Sequence, residues 1–274
     1  MSNTKLRLGL CQLRTELDQS ETMEKAAAMV RRAAEQGAEI VVLPEMFSTP
    51  YESAYFKQAL AQGHEGLTAA MSGWARDNGV LLVGGSVPER EDGKLYNTAF
   101  VFDREGRQIA RHRKVHLFEV DLPGMRFSER RNFTEGRDIT TFPTPWGTMG
   151  LAVCFDMRFP ELFRAMANRG ARVIFVPAQF NLVTGPAHWE LTLRSRAVDN
   201  ELFVAACSAA RYEGFSYECW GHSLVADPYG KLLCQADETE QLLLCDLDLA
   251  RIDEVRAQLP TFLHLRRDVY TVAE

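Results

Sequence analysis

The sequence lacks any apolar run long enough to span a membrane, so no membrane partner is expected. Its first residues, MSNTKLRLGLCQL, show no basic segment followed by a long apolar core. They read as a first strand rather than a leader, and the cytosol is the expected compartment. Positive charge is not in surplus. The net charge of −6 excludes a broad affinity for nucleic acid or anionic lipid, and an anionic small substrate would need a local cation. No two of the six cysteines (Cys11, Cys154, Cys207, Cys219, Cys234, Cys245) have CxxC spacing, which removes the usual signature of structural zinc or thioredoxin-like chemistry. There is no glycine-rich phosphate loop, and Gly84-Gly85 reads as a strand-end pair. No low-complexity linker, repeat or composition break divides the chain, so a single domain over residues 1–274 is expected.

What is present is a regular alternation of strand-like and helix-like patterns, with 46% hydrophobic residues to fill a sizeable core. LRLGLCQL is strand-like. Ser20 can cap a helix with Met23, Ala27, Val30 and Ala34 at helical spacing and Gly37 at its end. EIVVLP reads as a short buried strand, residues 66–77 as a helix, and VLLVGGSV as the next strand. Residues 96–102 and 108–114 form a hairpin pattern around Asp103-Arg104-Glu105-Gly106. Residues 118–138 show little periodicity and read as a long loop, of the kind often tied to function. TPWGTMGLAVCF predicts a turn and a buried strand ending at Cys154, followed by a helix over 159–169 and the strand RVIFVPA. Pro186 suits the first turn of a helix running to about Asn200. ELFVAACSA, HSLVAD, KLLCQA and LLLCDLDL read as strands, residues 250–258 as a helix, and the tail beyond Pro260 as packing on a surface or a partner. Strands joined by both helices and hairpins predict an α/β fold with mixed sheets and outer helices.

Three reactive side chains fall at or just past the ends of buried strands, where α/β folds place chemistry. Glu45 follows the apolar strand and proline of VVLPEMF. Partial burial there would raise its pKa and favour proton transfer, although an ordinary surface or ion-paired glutamate fits the same local sequence better. Lys114 in RHRKVHLF could hold a developing oxyanion, or belong to a basic hairpin face with Arg107, Arg111 and Arg113. Cys154 in GLAVCFDMRFPEL sits where a buried strand breaks into a helix entry. There a thiol is reachable, the Phe155 N–H could help hold an oxyanion, and a nearby cation would lower the thiol pKa. A buried structural cysteine fits that local sequence about as well, and it is the preferred reading of Cys11, Cys207, Cys234 and Cys245, with Cys219 undecided. A Cys–His scheme through His188 or His222 lacks a placed orienting group. His112 and His116, four apart across a strand end, are discounted as a metal pair. The basic run at 104–114 is weak support for nucleic-acid binding.

Glu45, Lys114 and Cys154 in this order, in the segments LPEMF, RKVHLF and CFDMRFPEL, resemble the nitrilase, or carbon–nitrogen hydrolase, superfamily over essentially the whole chain. The resemblance implies a four-layer α-β-β-α sandwich and a Glu–Lys–Cys triad acting on an amide, with no metal and no cofactor. It also implies a homodimer, or higher homo-oligomer, formed through helices near the active site. GGSVPER, GKLYNTAFVF, FNLVTGPAHWE, RAVDN, WGHSLVADPYG and DVYTV are similar to the ω-amidase branch. Its members open the terminal amide of short 2-oxo-dicarboxylic acid monoamides such as 2-oxoglutaramate and 2-oxosuccinamate. MRFSER puts Glu129 where the family has a second, supporting glutamate, expected to position Lys114 or the substrate amide. Met46 and Gln179 stand where smaller side chains are expected in the branch, and both are expected near the pocket. Arg158, four residues past Cys154, is expected to bind the distal carboxylate of a small anionic amide, against the alternative of a salt bridge to Asp156 or Glu161. The same fold acting on deaminated glutathione, an N-carbamoyl amino acid or a nitrile is the alternative, and a binding protein on a hydrolase scaffold a further one.

Overall fold

A computed structural model describes residues 4–122, 125–212, 214–215 and 217–271. Residues 123–124 of the expected long loop, and Val272 of the DVYTV ending, lie outside them. In chain order the elements are β1 (Lys5–Gln12), α1 (Gln19–Glu35), β2 (Ile40–Val42), α2 (Ser53–Gln62), α3 (Glu65–Asn78), β3 (Leu81–Glu91), β4 (Lys94–Phe102) and β5 (Gln108–Arg113). The hairpin of β6 (Glu119–Leu122) and β7 (Met125–Ser128) follows, then β8 (Thr140–Thr144), β9 (Gly147–Leu151), α4 (Pro160–Asn168) and β10 (Val173–Ala178). The chain continues through α5 (Gly185–Asn200), β11 (Phe203–Ser208), β12 (Leu224–Ala226), β13 (Leu232–Gln235), β14 (Gln241–Asp248) and α6 (Ala250–Gln258).

Two mixed sheets form, in the orders β14-β1-β2-β3-β4-β5 and β13-β12-β11-β10-β9-β8. Each has three parallel strands at its centre (β1, β2, β3 and β9, β10, β11) with antiparallel strands outside them. The central strands are apolar on both faces because both faces are covered. In β1, Leu6, Leu8 and Leu10 point into the core shared with the second sheet, while Cys11 joins the cluster beneath α1 and α3. In β2 the same alternation sends Ile40 and Val42 inward and Val41 outward. Helices α4 and α5 pack on each other, and α5 covers β11 and β12. The result is the α-β-β-α sandwich that the family resemblance implied, with the core between the sheets.

Several local expectations are corrected. Helix α1 is capped by Asp18, whose carboxylate accepts from the Ser20 N–H at 2.8 Å; the shorter Ser20 lies inside the first turn. Its buried stripe is Thr22, Ala26, Met29, Val30 and Ala33, rotated one position from the expected one, with Met23 and Ala34 at its edge. Gly84-Gly85 is not at a strand end. It forms a bulge inside β3, where the register shifts between Val83 and Ser86. A Cβ on Gly85, at φ +63°, would lie 2.1 Å from the Pro44 carbonyl oxygen, so only glycine lets β3 approach the turn that carries Glu45. Residues 118–138 contain the β6–β7 hairpin and a 3₁₀ turn over Glu129–Arg131, because cross-strand pairing supplies order that local periodicity does not show. Helix α2 left no clear sequence pattern. The strand before Cys154 ends at Leu151, and Cys154 opens a 3₁₀ turn over Cys154–Arg158. Cys234 is half-buried rather than buried. In the tail, Thr261 bonds to Glu201 and Phe262 packs against the core, while Leu263 is exposed.

Candidate active site

The chemistry-bearing residues come from the ends of strands in both sheets. Glu45 follows β2, and the bulge in β3 holds its turn, with Ser86 N–H donating to the Pro44 carbonyl and Ser86 Oγ accepting from the Met46 N–H. Lys114 directly follows β5, and its N–H donates to the Asn97 carbonyl of β4 at 2.8 Å. Glu129 opens the 3₁₀ turn after β7, with the Phe118 N–H on its carboxylate. Cys154 lies three residues past β9 at φ +47°, a left-handed conformation that a non-glycine residue adopts only when its surroundings enforce it.

These four side chains, expected at one site, are brought together in the interior. Glu45, Lys114 and Glu129 have no exposed surface. The Lys114 ammonium donates to Glu45 Oε1 and lies 2.8 Å from both Glu45 and Glu129. Of the two expected partners, Glu129 is paired with Lys114. Asn97 Nδ2 donates to Glu45 Oε1 at 2.8 Å and to Glu129 Oε1 at 3.1 Å. The Tyr51 hydroxyl donates to Glu129 Oε1. The backbone N–H of Gln179, just past β10, donates to Glu45 Oε2 at 3.0 Å. The Cys154 thiol donates to the Gln179 carbonyl at 3.4 Å and interacts with the Glu45 carboxylate.

The electrostatics follow from burial and from this company. Burial raises the Glu45 pKa above the ordinary value, and the Glu129 charge adds to it, while Lys114 opposes both. For Lys114, burial disfavours the charged form, but Glu129 and Glu45 outweigh it and keep the amine protonated. Cys154 departs from expectation. Lys114 does act to lower its pKa, but burial and the Glu45 charge push it well above the ordinary thiol range. The resting group is thus a thiol, with a high-pKa carboxylate beside it able to take its proton.

A narrow cavity of about 10 Å³ opens at Cys154, lined by Phe118, Phe155, Arg158, Gln179, Asn181 and Tyr217 among others. Arg158 is half-exposed, and neither expected alternative partner holds it. Among the described residues no carboxylate lies within ion-pair distance of it, since Asp156 bonds to His112 and His116 instead. Its Nη1 donates to His188 Nδ1 at 3.1 Å, its plane sits over the rings of Phe155 and Phe180, and its Nε has no partner. Gln179 lines the cavity as expected, but its side chain is tied to the Glu45 carbonyl and the Cys219 thiol, which gives Cys219 a place beside the site. Met46 does not line the cavity; at φ +47° its side chain turns into a buried cluster with Tyr51, Phe56 and Tyr217.

Sequence reasoning missed Tyr51, Asn97, Asn181 and Tyr217. Asn97 carried a signal, an amide inside the apolar strand KLYNTAFVF. The others carried none that local sequence could show. The basic run proves to be two separate things. Arg111 and Arg113 pair with Glu89 and Glu91 outside the site, and Lys114 turns inward. Among the described residues no group of three or more His, Cys, Asp or Glu is placed to hold a metal ion, and no helix is long and apolar enough to cross a membrane.

The sequence profile of a family described as carbon–nitrogen hydrolase matches residues 7–257. A Mus musculus protein named omega-amidase NIT2 is 45% identical over 267 residues, covering 97% of each chain. The Homo sapiens protein of that name is 44% identical over 270 residues, covering 98% of each. The crystal structure of Saccharomyces cerevisiae Nit3, described as a member of branch 10 of the nitrilase superfamily, superposes with a TM-score of 0.87 at 37% identity, covering 93% of this chain and 94% of that one. A profile matched along nearly the whole length, and relatives of equal extent, establish that this chain belongs to the carbon–nitrogen hydrolase family, an enzyme family of the nitrilase superfamily.

Proposed function

We propose that this amidase hydrolyses the terminal amide of a short 2-oxo-dicarboxylic acid monoamide, of the 2-oxoglutaramate or 2-oxosuccinamate type, through a Cys154 thioester. The observation that carries the reading is Arg158, a cation with no carboxylate partner among the described residues, lining the same cavity as Cys154. A guanidinium flanked by aromatic rings and lacking its own anion suits a bidentate substrate carboxylate. Asn181 supports the same reading. Its Oδ1 accepts from the N–H groups of Val183 and Thr184, which orients the amide and leaves Nδ2 a buried donor with no hydrogen-bond partner of normal geometry. The relatives named omega-amidase support the same reading.

In the reaction Glu45 accepts the Cys154 proton as the sulfur attacks the amide carbonyl carbon. Lys114, with the Phe155 N–H, stabilises the tetrahedral oxyanion. The oxyanion collapses, the C–N bond breaks, and Glu45 returns the proton to the departing nitrogen, releasing ammonia. Water enters, gives a proton to Glu45 and attacks the thioester. The acid leaves, and the sulfur regains its proton. Glu129 and Asn97 hold Lys114 and Glu45 in place throughout.

Ammonia release from a substrate panel tests the reading. The two 2-oxo acid monoamides should exceed propionamide, an N-carbamoyl amino acid and a nitrile in kcat/KM by at least about 100-fold, two charged hydrogen bonds' worth of discrimination. Equal rates on propionamide would sink the substrate assignment. Cys154→Ala should accumulate no acyl-enzyme by intact mass. The same reading pairs the chain as a homodimer, or a higher homo-oligomer, across α5. Leu191 and Val198 there lie seven apart and are 68% and 43% exposed. Sedimentation showing only monomer at micromolar concentration would remove that part.

A further inference from the structure

His112 and His116 flank Lys114 at equal distance in sequence, and Asp156 lies two residues past Cys154. In the fold these two short patterns lock together. Asp156 is fully buried, and its oxygens accept four hydrogen bonds. Oδ1 accepts from His116 Nδ1 at 2.8 Å and from the His116 backbone N–H at 2.9 Å. Oδ2 accepts from His112 Nε2 at 3.0 Å and from the Val153 backbone N–H at 3.0 Å. Burial alone would raise the carboxyl pKa, but the donors from His112 and His116 outweigh it and keep Asp156 ionised. An ionised carboxylate only accepts, so the histidine nitrogens facing it carry protons. The far nitrogen of His112 meets Thr140 Oγ1 at 2.9 Å, and the His116 ring lies flat on Phe159 with centroids 3.6 Å apart.

One carboxylate thus joins the segment on both sides of Lys114 to the residue before the nucleophile. It does so where the backbone needs holding, since Cys154 at φ +47° has no intrinsic preference for its conformation. Asp156 has no exposed surface and both its oxygens are taken by protein donors, so it acts through the groups it holds rather than on substrate. We infer that Asp156, through His112 and His116, is a positioning residue that sets the separation of the Lys114 ammonium, the Cys154 thiol and the Phe155 N–H. This inference rests on the assignment of Cys154 as nucleophile and Lys114 as oxyanion donor. The two histidines that flank the lysine are ordered hydrogen-bond donors to one aspartate. Displacement of either segment by an ångström is enough to cost orders of magnitude in rate.

Asp156→Asn keeps the shape but turns an NH₂ toward donors. It should lower kcat about 100-fold with KM within about 3-fold, and slow alkylation of Cys154 by iodoacetamide in step. His112→Leu should lower kcat about 10-fold. His112→Gln, whose amide N–H can reach Asp156, should recover to within about 3-fold of the parent. Melting curves report folding of each variant, and if Asp156→Asn does not fold, the His112 pair decides. A folded Asp156→Asn with parental kcat, a loss confined to KM, or His112→Leu equal to His112→Gln would overturn the inference. Cys154→Ala separates it from its premise. Turnover surviving in Cys154→Ala removes the nucleophile assignment, and with it this inference; an inactive Cys154→Ala beside a fully active Asp156→Asn removes this inference alone.

Discussion

The buried charges behind Cys154 and the polar groups along the cavity in front of it are organised in opposite ways. Behind the thiol, both oxygens of Glu45 and both of Glu129 have partners, and Lys114 is held between the two carboxylates with Tyr51 alongside. In front, Arg158 has no anion among the described residues, and Asn181 Nδ2 has no hydrogen-bond partner of normal geometry. A cluster whose two carboxylates and one ammonium are all paired is preorganised and needs little rearrangement during reaction. An unsaturated pair of donors carries a desolvation cost that a ligand relieves. On the proposed function the difference divides labour: the rear of the site would govern the chemical step, and the front which molecule reaches it.

The contrast is tested most severely at Lys114. Lys114→Met leaves two buried carboxylates without their cation. It should destabilise the protein by about 3–5 kcal/mol and, in the surviving folded fraction, cut turnover about 10³-fold. Thermal unfolding and active-site-normalised kcat check both parts. A stable, active Lys114→Met would mean that the rear cluster is not electrostatically organised at all.

Next in size is Glu45→Gln, which keeps the hydrogen-bonding shape but cannot take a proton. Its kcat should fall about 10³-fold with little change in KM. The sign of the pH effect follows from burial. A base works deprotonated, and because the folded Glu45 pKa is raised above the ordinary 4.5, the acid limb of kcat/KM should lie above that value. The limb should vanish in Glu45→Gln. A profile falling only below pH 4 would contradict a buried base.

The smallest expected effect on chemistry lies at the front. Arg158→Lys should raise KM for anionic amides about 10-fold or more while leaving kcat, and all constants for propionamide, within about 2-fold, because lysine keeps the charge but loses the planar fork. Parallel losses on charged and neutral amides would erase the division between front and rear.

Particular residues show what could be read ahead of the structure. Apolar runs such as VLLV and RVIFVPA, together with proline and glycine at element ends, announced most helices and central strands, because two-sided burial writes itself into composition. The β6–β7 hairpin and α2 did not announce themselves. Their order comes from cross-strand pairing and from aromatic packing such as Phe56 on Tyr51 and Phe133, which local patterns do not encode. At the site, Glu45, Lys114 and Cys154 each admitted a bland local reading, and only their joint order separated them from it.

The sequence by itself determined the kind of molecule. Its apolar patterns specify an α/β fold with mixed sheets and outer helices, its carboxylate, ammonium and thiol at three strand ends carry the family resemblance, and that resemblance implies the sandwich. What the tertiary structure alone decided is the state of those groups. Local sequence implied a thiol activated by a neighbouring cation, yet burial and Glu45 outweigh Lys114 and keep Cys154 protonated. It offered Arg158 two acidic partners nearby in the chain, yet Asp156 is taken by histidines from another segment, and the guanidinium meets His188 with no carboxylate beside it among the described residues. Protonation state and availability depend on which distant residues share a desolvated space, and no local pattern of residues records that.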